Sequence, residues 1–560
     1  MKRMARIGIW LDLLAAEKRW KYGMNVFELY IEEILGHGGI PFTRLNTRAE
    51  LEEYRPDILL VALCEEDDAS LDMLTEYVHK GGILISYAGL NRMASKLNCR
   101  EIRGPEVGYT ELPKLYDSLT KQPLRSLQHK PWIPIQQTEL PDASGIIYQN
   151  TPQGVQVASA LLEFSLGEGR LIRWNVNIPY TIVGLQQGTI PIVEDGLPAA
   201  DGTGSVDDGI LKADDRIELD WEVDRLQTNT GMLYFAYPYA DLWREVLISQ
   251  VLHTAKGLGL SIPILDYWPE NVEQVVLISH DSDFNLDESA EITLDLLKEY
   301  DVRATWCIIE PGYSPRLHDR IQADGHELAF HFNAMGKENG AWEQADFERQ
   351  LAYIRTTTEA QIISNKNHYT RYEGWDDLFE WCETNGIMAD QTRGPSKKGN
   401  VGFLFGTCHP YYPIAWADKR NRMYSVLEVG FLTPDLDHPI LADTSVIVPF
   451  LEQVQRVRGV AHFLFHPLHI LKQATVNAAL REVIRESQAR GFAFWTTEQI
   501  ILWEQSRRNM TWKVTSEDAA VPENVPQGAV VWIPISDDET SIEGAVEMRF
   551  GLRCKRMMID

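Results

Sequence analysis

The amino-acid sequence predicts an α/β protein with an N-terminal parallel sheet, a β-rich insertion, a β/α barrel of seven or eight units and a small C-terminal β appendage. Two stretches alternate between apolar runs of strand length and helical patterns, which is the order that parallel sheets require. Between them, at about 105–235, the pattern changes to short alternating runs with many turns. We therefore expect regions at 1–260, 261–510 and 511–560, with the insertion inside the first.

Composition and charge exclude several classes of function. The chain has 560 residues and 63.9 kDa, and 81 acidic against 53 basic side chains give a net charge of −28. Such an anionic chain is not expected to bind nucleic acid or anionic membranes, because phosphate binding needs clustered lysine and arginine. None of the six cysteines forms a Cys-x-x-Cys pair, so neither a structural zinc nor a disulfide scaffold is expected.

The N-terminal segment does not have the pattern of a targeting signal. Asp12 and Glu17 interrupt its apolar stretch, and no small-residue cleavage site follows. The chain contains no apolar run long enough to span a bilayer. We expect a cytoplasmic protein without membrane insertion.

The first hundred residues alternate between strands and helices. Arg6–Trp10, Asp57–Leu63 and residues 81–89 are short apolar runs of strand length. Helical patterns lie between them, with apolar residues at 27, 30, 31, 34 and 35 and a second helix over Ser70–His79. This order predicts a parallel sheet covered by helices. A helix over Ala240–Ala255 is expected to return the chain to this unit after the insertion.

The insertion contains a strongly acidic segment. Eleven acids lie in residues 194–224, against Lys212 and Arg216. A calcium ion could bind such carboxylates, but their spacing fits no known loop, so we favour a solvated acidic loop. Arg216–Asp224 alternates apolar and acidic residues, which predicts a half-exposed strand.

Eight apolar runs alternate with helical patterns after residue 272 and predict a closed or nearly closed β/α barrel. Helices are expected over Ser289–Tyr300 and Asn477–Ala489, among others. The predicted strands are Val275–Ser279, Ala304–Ile308, Glu327–His331, Ile362–Asn367, Ile387–Asp390, Val426–Val429, Ala461–His466 and Phe492–Trp495. In the C-terminal appendage we expect strands over Trp512–Val514, Ala529–Ile533 and Ala545–Arg549.

Histidine and aspartate recur where the barrel strands end, which is where β/α barrels place reactive residues. The candidates are His280, Asp281, Asp283, His331, His368, Asp390, His466 and His469. Asp281 and Asp283 are two residues apart and face the same side of a strand, so their charges need a cation or a shared proton. One aspartate with one or two histidines is a plausible first shell for a metal such as zinc.

These residues also carry a family resemblance. Residues 272–500 resemble the polysaccharide deacetylase domain (NodB-like, carbohydrate esterase family 4) in six collinear segments. The segments are VVLISHDSDF, LDLLKEYDVRATWCII, IQADGHELAFHF, HYTRYEGW, FLFH and GFAFWTTEQI. The resemblance implies a deacetylase-type barrel that hydrolyses the N-acetyl group of an amino sugar or polysaccharide, with a metal-activated water, an Asp base and a His acid.

The resemblance implies a role for each matched residue. Asp281 would be the catalytic base, Asp283 and His331 metal ligands, Arg371 the group that orients or neutralises the aspartate, and His466 the general acid. Two features depart from the family. Ser282 separates two aspartates that are usually adjacent, so base and ligand roles could be exchanged. Met335 stands where the second metal histidine is expected.

A third metal ligand must therefore come from elsewhere, and we expect His368, with Asn333 as the alternative; otherwise the metal site is weakened or lost. Zinc is the expected ion. His280, Tyr369, Trp375 and His469 are our candidates for substrate binding. His409, Trp306, Tyr411 and Tyr412 are further candidates near these loops.

The N-terminal region resembles, more weakly, the class I glutamine amidotransferase-like fold, a flavodoxin-like parallel sheet that also serves as the trimerisation module of bacterial β-galactosidases. RPDILLVALCEEDDASLDMLTEYVHKGGILISYAG carries this likeness. No cysteine follows the strand at 81–89, and Cys64 lacks the setting of a nucleophile. We expect a scaffold or a substrate-binding partner without a nucleophile, or a homo-oligomer formed through this unit.

Three functions remain open. The first is a metal-dependent carbohydrate N-deacetylase that acts on amide bonds. The second is a non-catalytic carbohydrate-binding or assembly protein on a lapsed deacetylase barrel, which Met335 favours. The third is a glycoside hydrolase that uses Asp281 with another carboxylate.

Overall fold

The N-terminal unit is built on a seven-stranded sheet with helices on its faces. The computed structural model describes residues 3–136, 140–203, 209–439, 441–514, 520–536 and 545–557. The first five strands of the sheet are parallel and the last two pairings antiparallel. In sheet order the strands are Thr43–Leu45, Ile7–Leu11, Ile58–Leu63, Ile83–Tyr87, Gly169–Trp174, Leu161–Leu166 and Asp142–Ser144. The α-helices are Leu13–Lys21, Ile31–His37, Arg48–Tyr54, Asp68–His79, Met93–Lys96, Ile178–Gln187 and Tyr239–Gly257.

The three N-terminal strands predicted from the sequence are confirmed, but the insertion is smaller than predicted. Leu161–Leu166 and Gly169–Trp174, which lie inside the predicted 105–235 insertion, belong to the main sheet. Gly169–Trp174 pairs in parallel with Ile83–Tyr87 and is largely buried, so it extends the core of the first unit. The relationship to amidotransferases and the flavodoxin-like assignment stay predictions.

The insertion proper is a four-stranded antiparallel sheet, and two separate antiparallel strand pairs accompany it. The sheet strands are Val155–Ala158, Ile146–Gln149, Val107–Glu111 and Leu124–Leu127. The two pairs are Cys99–Glu101 with Trp132–Pro134, and Arg225–Gln227 with Leu233–Phe235.

The strand predicted over Arg216–Asp224 is wrong, because this segment is a series of turns followed by the short strand Arg225–Gln227. Asp220 Oδ1 accepts hydrogen bonds from the backbone N–H groups of Glu222 (2.8 Å) and Val223 (3.0 Å). Asp224 Oδ2 accepts one from Asp220 N at 2.7 Å. These carboxylates satisfy the backbone locally and so replace the ladder of a strand.

The second unit is an all-parallel sheet of eight strands, and the residues that follow its first member bridge to its last, where Leu432 N donates to His462 O at 2.9 Å and Leu464 N donates to Thr433 O at 3.1 Å. In sheet order the strands are Leu427–Glu428, Ala389–Asp390, Ser364–Asn367, Glu327–Phe332, Thr305–Ile308, Val275–Asp281 and Val460–Phe465, and Ala493–Phe494 also pairs with Val275–Asp281. The helices are Asp287–Glu299, Pro315–Ala323, Gln344–Thr358, Asp377–Thr384, Ile447–Val457, Pro467–Lys472, Ala474–Ala489 and Thr497–Arg508. Each predicted barrel strand overlaps one of these strands, and the sheet has the form of a half-barrel.

The C-terminal residues form a four-stranded antiparallel sheet and a hairpin. The sheet consists of Ile264–Leu265, Val531–Pro534, Leu552–Met557 and Val546–Arg549, so the appendage adds to a strand that precedes the barrel. The hairpin pairs Thr511–Val514 with Ala520–Glu523. Seven short 3₁₀ segments complete the described elements, at Phe27–Tyr30, Lys114–Tyr116, Ala213–Asp215, Gly336–Glu338, His368–Thr370, Ala417–Lys419 and Thr444–Val446.

A segment of the first unit lies across the loops of the barrel. We call the described residues of 190–215 the strap. Ile192 and Gly374 exchange two backbone hydrogen bonds of 2.8 Å, and Tyr372 N donates to Leu211 O at 3.0 Å. Asp214 accepts from Ser396 N at 2.9 Å, and the Lys397 ammonium pairs with Asp215.

The expectation of a solvated acidic loop is therefore wrong for Asp214 and Asp215, which are buried because Lys397 and Asn400 neutralise and bond them. No helix among the described residues has both the length and the apolar character needed to cross a bilayer.

Candidate metal centre and its catalytic neighbours

Four parallel strands bring the predicted site residues together at their carboxyl ends. Asp281 is the last residue of Val275–Asp281, and Asp283 follows two residues later with a positive φ of 31°. His331 lies near the end of Glu327–Phe332, His368 directly follows Ser364–Asn367, and His466 directly follows Val460–Phe465. Parallel strands end at one edge of a sheet, so residues 185 positions apart in the sequence become neighbours.

Asp283, His331 and His368 form the tightest group. Asp283 Oδ1 lies 3.4 Å from His331 Nε2 and 3.3 Å from His368 Nδ1. The two imidazole nitrogens are themselves 3.3 Å apart. These three atoms therefore form a nearly equilateral triangle.

The hydrogen bonds of the two imidazoles indicate which nitrogens carry lone pairs. His331 Nδ1 lies 2.9 Å from the backbone oxygen of Lys366, so it must carry a proton and Nε2 is left with a lone pair. His368 Nε2 faces the Glu338 carboxylate at 3.3 Å, so a proton on Nε2 meets an acceptor there and Nδ1 keeps its lone pair in that tautomer. Asp283 Oδ1 is buried and accepts no hydrogen bond from the part of the chain that the structure describes.

Three lone pairs facing one point repel each other unless a positive charge lies between them. Ligand atoms bound at about 2.0–2.1 Å to a tetrahedral zinc stand roughly 3.3–3.4 Å apart, which matches the observed triangle. Two imidazoles and a carboxylate also suit a divalent cation of intermediate softness. The residues present thus fit a divalent metal, and they are the three that the sequence predicts as ligands.

Asp283 also faces His466, whose Nε2 lies 3.5 Å from Asp283 Oδ2. Burial favours the neutral form of His466, but the carboxylates of Asp435 and Asp283 outweigh it and raise the pKa of His466 to about 10. Burial would raise the pKa of Asp283, but this pKa is held well below its usual range, in the largest part by the charge of His466. The two neighbouring carboxylates therefore favour the protonated form of His466.

Asp435 holds His466 in place. Asp435 Oδ2 lies 2.5 Å from His466 Nδ1 and 2.8 Å from His469 Nδ1, and Asp435 Oδ1 accepts the backbone N–H of His466 at 2.8 Å. These are hydrogen-bond distances, shorter than the spacing between ligands of one metal ion. Asp435, His466 and His469 therefore form a hydrogen-bonded triad, although they too lie close enough together to suggest a cation site.

A buried lysine neutralises Asp281. The Lys366 ammonium is fully buried, lies 3.3 Å from Asp281 Oδ1 and donates to Ser279 Oγ at 2.6 Å. The resemblance assigned this role to Arg371, but the Arg371 guanidinium instead bonds Glu373 and the backbone oxygen of Ala334. Asp281 Oδ2 lies 3.8 Å from His331 Nε2, so the carboxylate borders the candidate metal centre.

The residues predicted to bind substrate lie in very different surroundings. Tyr369 is 47% exposed, and its ring packs edge-on against His368 with centroids 4.6 Å apart. His469 is partly exposed and stacks on His438. His280, in contrast, is fully buried against Trp306, and its Nδ1 bonds the Phe465 backbone oxygen at 3.0 Å. Burial lowers the pKa of His280 to about 3, so it remains neutral.

Trp375 is also removed from solvent, because it stacks on Phe27 of the first unit and its Nε1 donates to Ile414 O at 2.9 Å. Neither His280 nor Trp375 can contact a carbohydrate in these positions, so the structure contradicts both predictions. His280 packs in the core and Trp375 packs at the interface between the two units, which accounts for a histidine and an aromatic residue at these positions.

The further candidates behave like interior residues. Met335 is buried, Asn333 caps its own loop by accepting from Met335 N, and His409 lies in an interface with His37. Trp306, Tyr411 and Asp390 are likewise buried, while Tyr412 is half-buried beneath Arg508. Burial raises the pKa of Cys64 to about 11, which disfavours a reactive thiolate.

Sequence reasoning missed Lys366, Asp435 and Glu338. Lys366 lies in a polar strand, SNKN, where a lysine usually indicates a solvent-exposed face. Asp435 and Glu338 lie in loops without periodic pattern. The sequence offered one indication of them. A buried aspartate needs a cation beside it, and a histidine that binds a metal through one ring nitrogen needs a hydrogen-bond acceptor for the other.

No protein-family model and no curated protein matches the chain. Similar solved structures include a putative polysaccharide deacetylase from Mycobacterium smegmatis, at 16% identity and TM-score 0.33, over 44% of this chain and 94% of that one. A probable polysaccharide deacetylase from Pseudomonas aeruginosa PAO1 is similar at 13% identity and TM-score 0.31, over 43% of this chain and 93% of that one. The peptidoglycan deacetylase PdaC from Bacillus subtilis is similar at 14% identity and TM-score 0.27, over 42% of this chain and 95% of that one. Likeness at this level does not define an activity for the chain.

Proposed function

We propose that the chain is a metal-dependent hydrolase that removes N-acetyl groups from an amino sugar or polysaccharide. One observation carries the proposal: the lone-pair triangle of Asp283, His331 and His368 lies between a carboxylate held by Lys366 and a charged histidine held by Asp435. A metal centre, a base and an acid are the three components that amide hydrolysis needs. Zinc is the proposed ion.

When bound, a divalent cation would polarise the amide carbonyl and lower the pKa of a water molecule beside it. Asp281 accepts the proton of the attacking water, and the Lys366 ammonium, 3.3 Å away, orients this carboxylate. His466, protonated at neutral pH, donates a proton to the departing amine, because an amine anion is too basic to leave. The exposed ring of Tyr369 offers a face on which a sugar can stack.

The test is acetate release from N-acetylated amino-sugar oligomers, with and without added Zn²⁺. We expect release by the wild-type protein, and a decrease of about 10²–10⁴-fold in kcat for Asp281→Asn and for His466→Ala. Both variants should keep the wild-type circular dichroism spectrum. Near-wild-type acetate release by both variants would show that the roles are assigned wrongly, and release of sugars instead of acetate would favour a glycoside hydrolase.

The second candidate is a non-catalytic carbohydrate-binding or assembly protein. Met335 favours it, because this buried thioether occupies the position where the family resemblance expects a metal ligand. Metal content separates the two proposals. A protein purified without chelator that contains no stoichiometric divalent metal and releases no acetate would favour the non-catalytic one.

A further inference from the structure

The loop after the strand Glu327–Phe332 reaches the candidate metal centre through a different side chain from the expected one. Met335, at the position of the missing histidine, is 3% exposed and packs into the core. Three residues later, Glu338 is exposed and turns its carboxylate back towards the site. Glu338 Oε2 lies 3.3 Å from His368 Nε2, on the side of the imidazole opposite to the metal triangle.

Glu338 is itself held in position by its loop. Asn333 Nδ2 donates to Glu338 Oε2 at 3.1 Å, and Asn333 Oδ1 accepts from Met335 N at 3.0 Å. The backbone N–H groups of Glu338 and Gly340 both donate to Met335 O, at 2.8 and 3.0 Å. The carboxylate therefore has a defined position relative to the imidazole.

We propose that Glu338 is a positioning residue that makes His368 a metal ligand. A carboxylate on Nε2 keeps the proton there, leaves the lone pair on Nδ1, orients the ring and increases the basicity of the coordinating nitrogen. His368 needs such help because it follows its strand in a strained turn, where Tyr369 and Thr370 have φ values of 58° and 53°. The loop has no metal ligand at Met335, but it contributes to the site because Glu338 supports the ligand His368.

This inference rests on the metal site of the proposed function but not on its reaction. His331 has a different partner in the same role, the backbone oxygen of Lys366, so the two histidines are supported independently. Removing Glu338 should therefore weaken one ligand and leave the other in place.

The test measures Zn²⁺ affinity of metal-free full-length protein by competition with a chromophoric chelator. We expect Glu338→Ala to weaken binding by about 10–100-fold, and Glu338→Gln to weaken it less, because an amide oxygen can still accept the proton of Nε2. Glu310→Gln is the matched control. The Glu310 carboxylate lines one surface groove together with Glu338, bonds Arg349 at 2.9 Å and does not contact His368. Circular dichroism in the presence of chelator checks that each variant folds.

Unchanged Zn²⁺ affinity in Glu338→Ala, or an equal loss in Glu310→Gln, would overturn the inference. A wild-type protein that fails to bind Zn²⁺ would overturn both the inference and the proposed metal site. A protein whose tight Zn²⁺ binding depends on Glu338 but that releases no acetate would overturn the proposed function alone.

Discussion

Lys366 is the residue on which the proposed base depends most. Its ammonium is fully buried and forms the ion pair with Asp281, and its backbone oxygen fixes the protonation of His331. A buried charge is costly without a partner, so each of these two side chains compensates the charge of the other. One residue thus orients both the proposed base and one proposed metal ligand.

We predict that Lys366→Met lowers kcat by about 10²–10³-fold with a small change in KM, because it removes the charge that pairs with Asp281 and orients it but leaves the backbone bond to His331. Steady-state acetate release measures the effect. Arg371→Met is the comparison, since the family resemblance assigned the same role to Arg371. A larger loss of kcat in Arg371→Met than in Lys366→Met would support the resemblance over the observed ion pair.

Glu327 contributes to the pH dependence of stability, and it lies at the opposite end of its strand from the site. Burial raises the pKa of Glu327 to about 7, although Ser364, Thr305 and the backbone N–H of Glu498 bond its carboxylate. The folded-state pKa lies above the unfolded value of about 4.3, so the folded state holds the proton more tightly. Its contribution to stability is complete below the unfolded pKa and is lost as the pH rises through 7.

We predict that Glu327→Gln flattens this decline in stability, which amounts to roughly 3–4 kcal/mol, because the amide does not titrate, and its oxygen can accept from Thr305 and Glu498 while its nitrogen donates to the Ser364 hydroxyl. Urea unfolding of wild type and variant at pH 5, 6, 7 and 8 measures it. An identical pH dependence in the two proteins would show that another group titrates.

The sequence predicted the surroundings of individual residues unequally well. The close approach of Asp283, His331 and His368 was predictable because parallel strands of one sheet end at the same edge, whatever their separation in the chain. Lys366 was not, because only the closed polar interior around Asp281 explains why a lysine is buried within SNKN. His280 was predicted wrongly because alternation along the strand turns it to the face opposite Asp281.

At the scale of elements, the loop 333–340 is a compact turn built around one close backbone approach. Gly340 lies so near Asn333 that a Cβ at this position would be 1.9 Å from the Asn333 backbone oxygen. Gly336, in the same loop, has open space around it. The loop that carries Glu338 therefore tolerates a side chain at one glycine and not at the other.

We predict that Gly340→Ala weakens Zn²⁺ binding by about tenfold, because the displaced loop moves Glu338 away from His368. Gly336→Ala should leave Zn²⁺ affinity unchanged. Chelator competition measures both, and circular dichroism checks that each variant folds. Equal affinities in the two variants would indicate that loop geometry does not affect the metal site.

Strands and helices of the barrel followed their sequence patterns closely, whereas irregular segments did not. The strands Val275–Asp281 and Val460–Phe465, which end at the site, are buried on both faces. Continuous apolar runs of this length are typical of strands in a parallel sheet. Arg216–Asp224 has an equally clear alternation, yet its aspartates bond the backbone and form turns. Periodicity alone does not distinguish these outcomes when the polar residues are good turn formers.

At the scale of the whole molecule, the two units are joined on more than one side. The strap binds the barrel loops next to Tyr372 and Gly374, close in sequence to His368. On another side, the last barrel helix, Thr497–Arg508, bonds the helix Ile31–His37 of the first unit. The first unit therefore supports the barrel around the candidate site, a contribution that the sequence did not predict because it depends on contacts across hundreds of residues.

The ion pair between Arg508 and Glu33 tests how far this junction determines stability. The guanidinium bonds both carboxylate oxygens, at 2.6 and 2.9 Å, and both side chains are largely buried. We predict that Glu33→Gln lowers the free energy of unfolding by roughly 3 kcal/mol, because it leaves a buried charge with one partner fewer. The loss should appear as an earlier but still single transition in urea, followed by tryptophan fluorescence and circular dichroism, since the same contact stabilises both units.

Glu76→Gln, which breaks an exposed pair with Lys80 in the first unit, is the matched control and should change little. If Glu33→Gln unfolds no earlier than Glu76→Gln, or if the two signals separate in wild type, the units fold independently and the barrel does not depend on the first unit for its stability.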